Sequence, residues 1–161
     1  MKSDRISDTR NEEHTRARER ALVLLNYKMR SESELRDKLT QNGFSAEAVD
    51  DALEYVKSFG YVDDARYVRE YADTVGKRRS RNRVYADLIR RGISKDLIEE
   101  FFREMGEADE TELIRKTAEK KMKTIDISDY SGRRKLTAYL CGKGFQMNQI
   151  LRVIDELLRE Q

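Results

Sequence analysis

The amino-acid sequence predicts an all-α protein, an elongated tandem array of three three-helix units. One observation is a phrase written three times: a leucine, three residues, a glycine, then a large apolar residue. The copies are Leu39-Thr40-Gln41-Asn42-Gly43-Phe44, Leu88-Ile89-Arg90-Arg91-Gly92-Ile93 and Leu140-Cys141-Gly142-Lys143-Gly144-Phe145. Each is followed by an apolar stripe at i, i+3, i+4, i+7, one face of a helix: Val49/Ala52/Leu53/Val56, Ile98/Phe101/Phe102/Met105 and Ile150/Val153/Ile154/Leu157. The glycines lie 49 and then 52 residues apart, a period typical of repeat arrays in which each unit buries a face on its neighbour. The other observation is compositional. With 40% charged residues, 38% hydrophobic residues and no proline, the chain suits helices with wide solvated faces.

The elements follow in order. Residues 1–12 hold few apolar side chains and are expected as a mobile tail. The first unit, 13–60, opens with a helix from about Glu13 to Lys28 carrying Ala17, Ala21, Leu24 and Leu25 inward. Ser31 with Glu34 forms a capping box for a second helix that ends at Gly43. Ser45 caps a third helix running to about Ser58. The second unit, 61–106, repeats the plan. Its first helix starts at Asp63, Val84 and Leu88 stand where Leu35 and Leu39 stood, and Ser94 takes the place of Ser45. In the third unit, 107–161, helices are expected at about Glu110–Lys123, Gly132–Cys141 and Met147–Arg159. Ile125 and Ile127 are expected over a seam between units. Helices of this length are about 18 Å long, so three units in series span about 60 Å. A body of that length points to a large partner rather than a small molecule.

Little site chemistry is available. One cysteine, Cys141, and one histidine, His14, provide neither a disulfide nor a zinc set. Cys141 reads as a packing residue and His14 as solvated. Gly142-Lys143-Gly144 has neither the spacing nor the preceding strand of a phosphate loop. Asp63-Asp64 reads as a helix cap, and the remaining carboxylates lie on solvated faces. No catalytic residue, metal site or cofactor is therefore expected. No apolar run approaches a membrane span and no signal segment follows Met1, so a cytoplasmic protein is expected; no leftover apolar face is obvious, so a monomer is expected.

Charge is segregated although the formal net charge is only +2. From Lys77 to Arg91 seven cations, Lys77, Arg78, Arg79, Arg81, Arg83, Arg90 and Arg91, face the lone acid Asp87. The same location in the third unit carries Arg133, Arg134 and Lys135, whereas in the first it is the acidic Ser31-Glu32-Ser33-Glu34. Cations at a helix N-terminus oppose the helix dipole. Their presence there favours contact with phosphates or with an acidic protein surface. Tyr85 and Tyr139 can stack on bases or simply pack. The outer faces of the third helices are acidic (Glu47, Asp50, Asp51, Glu54; Asp96, Glu99, Glu100, Glu104), which argues against insertion into a duplex major groove. Neutralising about six phosphates would give a salt slope near −5.

The stretches Ala21-Leu22-Val23-Leu24-Leu25, Ser31-Glu32-Ser33-Glu34-Leu35-Arg36-Asp37-Lys38-Leu39, Asn42-Gly43-Phe44, Gly60-Tyr61-Val62-Asp63-Asp64-Ala65-Arg66-Tyr67 and Leu88-Ile89-Arg90-Arg91-Gly92-Ile93 resemble the RecX family, regulators of the bacterial RecA recombinase. The resemblance runs from about residue 17 to the C-terminus and is densest through residue 105. It implies tandem three-helix units and a non-enzymatic modulator that binds RecA in the groove of its DNA filament. Such a protein limits filament growth and reduces ATP hydrolysis, strand exchange and LexA co-cleavage. The implied partners are RecA and its filament, single-stranded DNA and, as a further candidate, double-stranded DNA. The resemblance transfers no contact residues, so the candidate contacts (Lys77, Arg78, Arg79, Arg81, Arg83, Arg90, Arg91, Arg133, Arg134, Lys135) are chosen on charge. The alternatives are a free-standing, sequence-nonspecific nucleic-acid binder and a pure protein scaffold.

Overall fold

In a computed structural model, residues 2–161 of the chain are described, with side chains from residue 5 onward. Among the described residues there are nine helices and no strand: α1 Lys2–Tyr27, α2 Glu32–Gln41, α3 Ala46–Ser58, α4 Asp64–Thr74, α5 Arg81–Arg90, α6 Lys95–Met105, α7 Thr111–Met122, α8 Tyr130–Gly142 and α9 Met147–Arg159. None is long and apolar enough to cross a membrane.

The thrice-repeated phrase is a helix terminator. The three glycines have φ of +89° (Gly43), +77° (Gly92) and +90° (Gly144), the left-handed region a side chain disfavours. In each copy the residue after glycine donates its N–H back to the leucine carbonyl: Phe44 to Leu39 at 3.4 Å, Ile93 to Leu88 at 3.1 Å and Phe145 to Leu140 at 3.4 Å. The glycine N–H bonds one residue further along, to Thr40, Ile89 and Cys141. This is the Schellman pattern, and it reverses the chain so that the next stripe turns inward.

The chain divides into two compact units, Met1–Arg69 with Leu88–Ile98, and Glu70–Asp87 with Glu99–Gln161. In the first, α1 contributes Ala17, Ala21 and Leu24, α2 contributes Leu35 and Leu39, and α3 contributes Val49, Ala52, Leu53 and Val56 to one buried cluster. Each fully buried leucine or valine contributes about 1.5–3 kcal/mol. Tyr67, Val68, Leu88, Ile93 and Ile98 of this unit are also buried.

Helix α1 starts at Lys2, well before the expected Glu13, and residues 5–12 are exposed helix. Of the expected tail, residue 1 and the side chains of 2–4 lie outside the described residues. The extension contains no glycine or proline. Thr9 donates its hydroxyl to the Arg5 carbonyl at 2.5 Å, and Arg10 pairs with Glu47 at 3.5 Å. Further along, the Glu13 carboxylate accepts from the Ser45 N–H at 2.8 Å and its hydroxyl at 3.1 Å, bonds that hold Glu13 below the usual carboxylate range. His14 is not solvated as expected: its side chain is 24% exposed and Nδ1 lies 3.7 Å from Asp51, which Arg18 already holds at 2.7 Å.

In the second unit, α7, α8 and α9 pack around Ile114, Leu136, Leu140, Phe145, Ile150, Val153 and Leu157. Ile127 is buried within this core and Ile125 packs against it, so both belong to the interior of a three-helix bundle rather than to a seam. Cys141 also packs there, as its place in the apolar pattern implies.

Candidate nucleic-acid interface

Function is expected at the basic entrances of α5 and α8; α5, together with the acidic entrance of α2, is fastened by a recurring pair of ties. At α2 the buried Ser31 hydroxyl accepts from the Glu34 N–H at 3.0 Å and donates to the Arg91 carbonyl at 2.6 Å. At α5 the buried Ser80 hydroxyl accepts from the Arg83 N–H at 3.2 Å and donates to the Lys143 carbonyl at 2.6 Å. In both cases the accepting carbonyl immediately precedes the turn glycine of the following repeat. The approach is close. A Cβ on Gly92 would overlap the Ser33 side chain, and one on Gly144 would come 2.6 Å from Ser80 Oγ.

A carboxylate from the following repeat provides the second tie. The Glu32 N–H donates to Asp64 at 2.9 Å, and the Arg81 N–H donates to Glu110 at 2.6 Å. Burial pushes both carboxyls up from their ordinary values, against the lowering effect of these bonds. The leading N–H groups of α2 and of α5, the latter an expected anion seat, are therefore engaged from within. The expected cap Asp63-Asp64 divides its work: Asp63 caps α4 by accepting from the Arg66 N–H at 3.1 Å, while Asp64 serves Glu32. At α8, Asp129 caps through the Gly132 N–H at 2.6 Å.

These ties sort the ten candidate cations. Arg79 reaches the nearly buried Asp87 at 2.7 Å, where the Tyr71 hydroxyl also donates at 3.1 Å. Arg81 donates to the Gly106 carbonyl at 2.6 Å and lies 4.9 Å over the Phe102 ring. Arg91 bonds Glu34 at 3.2 Å and the Tyr67 hydroxyl at 2.9 Å. All three are built into the framework. Arg133 donates to the Asp129 carbonyl at 3.1 Å, and Arg134 lies 5.8 Å over the Tyr130 ring. Arg90 is exposed. Lys77, Arg78, Arg83 and Lys135 are exposed and, among the described residues, make no ion pair.

Folding also recruits a cation that charge clustering misses. The Ser80 tie and an Asn82 side-chain bond to the Gly144 carbonyl at 3.0 Å bring the α8–α9 turn against the start of α5. Lys143 thereby joins the second unit's basic surface, and Lys143 and Lys121 lie 5.3 Å and 4.8 Å over the Tyr139 ring. No sequence signal links residue 143 to residue 80 except the recurrence of the glycine turn. Other cations are neutralised: Arg115 is held by Glu160 at 2.8 Å and Glu156 at 3.2 Å, contacts that push its guanidinium pKa up, and Lys116 pairs with Glu112 at 2.9 Å.

Family models describing the first, second and third three-helix domains of RecX match residues 17–55, 63–100 and 108–154 in series. The chain belongs to the RecX family. It is 33% identical over 141 residues to the regulatory protein RecX of Caldanaerobacter subterraneus, covering 86% of this chain and 69% of the relative. The Clostridium perfringens RecX is 30% identical over 155 residues, 94% of this chain and 73% of that one. A crystal structure of RecX from Lactobacillus salivarius superposes with a TM-score of 0.80 at 21% identity, covering 91% of this chain and 97% of that one, and so shares the fold. In this RecX-family chain each tie pairs a side chain of one repeat with a backbone group of the other.

Proposed function

We propose that this RecX-family protein is a non-enzymatic, monomeric, cytoplasmic modulator of RecA that engages the RecA–DNA filament and limits its growth, ATP hydrolysis and strand exchange. The supporting observation is the match to all three RecX domains in order across the chain. The three repeats, 13–60, 61–106 and 107–161, would act together along the polymer. Contact with the filament is assigned to the exposed cations Lys77, Arg78, Arg83, Arg134 and Lys135, joined by Lys143. Arg79, Arg81 and Arg91 serve the framework and leave the contact set. The test is DNA-dependent ATP hydrolysis by the cognate RecA on single-stranded DNA: the protein suppresses it at or below stoichiometric amounts. Unchanged hydrolysis together with unchanged filament length refutes the reading.

The unpaired cations also support a second reading, a free-standing nucleic-acid binder with DNA as its partner in the absence of RecA. With about four phosphates engaged, log affinity for a single strand falls with log salt at a slope near −3. A flat response removes this reading.

A further inference from the structure

In the second compact unit, α8 and the turn after it carry charge of one sign. Between Asp129 and Asp155 the chain holds five cations and no acid. Lys135, Tyr139 and Lys143 follow one another at i, i+4 and i+8, along one side of α8 and its C-cap. Lys121 of α7 reaches the same side. Its Nζ lies 4.8 Å from the centroid of the Tyr139 ring, and that of Lys143 lies 5.3 Å from it. The two ammonium groups are thus at most about 10 Å apart, roughly the Debye length at 0.1 M salt, and each feels the other's charge. The ring offsets part of that repulsion. No carboxylate does so: among the described residues Lys121, Lys135 and Lys143 make no ion pair. The two acids of α7, Glu112 and Glu119, are taken by Lys116 at 2.9 Å and Arg115 at 3.8 Å.

The row continues past the helix. The Asn82 bond to the Gly144 carbonyl at 3.0 Å holds the α8–α9 turn against the start of α5, where Arg83 is exposed and also makes no ion pair among the described residues. Lys135 to Lys143 alone covers about 12 Å of helix axis. The cations therefore form a track rather than a socket for a single anion. Glu107 lines a recess with Asn82 and Gln146, so an acid bounds the track at its α5 end. The charged side chains along it are hydrogen-bond donors that cannot accept. A protein surface brings donors as well as acceptors, and its own cations would meet repulsion here. A phosphodiester chain brings negative charge and acceptor oxygens at every step.

We infer that Lys121, Lys135, Lys143 and Arg83 form a track for the phosphodiester backbone of a nucleic-acid strand, with Tyr139 positioning two of the ammonium groups. The inference deepens the filament reading by giving this face to DNA rather than to RecA, and it rests on that reading only for the identity of the strand. Its test omits RecA, so that its failure and the failure of that reading are distinguishable.

The experiment follows binding of a fluorescein-labelled, twenty-nucleotide oligothymidylate to the full chain by anisotropy over a series of sodium chloride concentrations. In the double variant Lys121→Gln/Lys143→Gln, affinity falls at least about tenfold near 0.1 M salt, and the log–log salt slope becomes shallower by about 1.4, the share of two phosphates on a single strand. Lys143 is exposed, and Lys143→Gln alone shifts the slope by about 0.7. Lys121→Arg/Lys143→Arg keeps both charges and retains affinity and slope. Lys28→Gln, at an exposed lysine of the first compact unit, changes neither. Helical circular dichroism checks that each variant is folded. Three results overturn the inference: no binding of the oligothymidylate by the parent chain; an unchanged salt slope in both glutamine variants; or polyglutamate of equal charge displacing the strand as effectively as unlabelled oligothymidylate. If the parent chain still suppresses RecA ATP hydrolysis alongside any of these, the filament reading stands and DNA leaves this face.

Discussion

Ser80→Ala isolates one of the recurring ties. Ser80 is buried, its hydroxyl donates to the Lys143 carbonyl at 2.6 Å, and it accepts from the Arg83 N–H at 3.2 Å. Losing the cap costs about 1 kcal/mol, and leaving the Lys143 carbonyl without its donor costs about 1–2 more, a total of about 2–3 kcal/mol. The comparison is Ser94→Ala, because Ser94 is exposed and only caps, through the Leu97 N–H at 3.3 Å; that substitution costs about 1 kcal/mol. Urea unfolding followed by helical circular dichroism reads both. For a chain of this size the difference amounts to about 2–8 °C in Tm. Ser80 and both of its partners lie in the second compact unit. Any transition that reports that unit separately therefore shifts, while one reporting the first stays in place. Equal losses in the two variants would refute the tie as a contributor to stability.

Other expectations follow from the same geometry. Gly43→Ala costs about 1–2 kcal/mol for its left-handed backbone alone, since a Cβ there meets nothing within 4 Å; Gly92→Ala costs at least about 1 kcal/mol more, because its Cβ overlaps Ser33, and thermal unfolding measures the gap. Arg79→Ala, which removes a cationic partner of the buried Asp87 carboxylate, destabilises by about 1–3 kcal/mol, whereas Arg78→Ala changes stability by less than about 0.5 kcal/mol and instead is expected to weaken binding to the RecA–DNA filament; equal stability losses would overturn that division. Burial raises the folded-state pKa of Glu110 above its unfolded value, so its contribution to stability grows as pH falls through the raised pKa toward the ordinary one. Any stability advantage of Glu110→Gln is therefore largest near pH 7 and shrinks on acidification; an advantage that grows instead contradicts the assignment.

What the sequence makes legible is local. The leucine–glycine phrase is readable because the Schellman turn closes within six residues, and the Ser31, Ser45 and Ser94 caps are readable because each acts on an N–H three residues on. The ties are not legible in this way. Ser31 meets Arg91 and Ser80 meets Lys143 across 60 and 63 residues, and Ser80 lies in a basic run with no acidic partner at capping-box spacing. The candidate site suffers for the same reason. Charge counting treats Arg79, Arg83 and Arg91 alike, yet one is spoken for by Asp87 and another by Glu34, while only Arg83 faces solvent without an ion pair. The early start of α1 has a similar origin, since Arg10 finds its partner Glu47 only in the folded chain.

The ties also remove the electrostatic oddity that first marked the helix entrances. Arginine at a helix N-terminus is unfavourable when the dipole faces water, but at α5 the first N–H already points at the Glu110 carboxylate. Arg81 therefore sits beside an anion and not against a bare positive end. A phosphate cannot take the Arg81 N–H without displacing Glu110. Arg78, Arg83 and Lys135 are exposed, and in the proposed contact such long side chains would follow a backbone of phosphates without fixing its register. The affinity expected of that contact is salt-dependent and indifferent to base sequence.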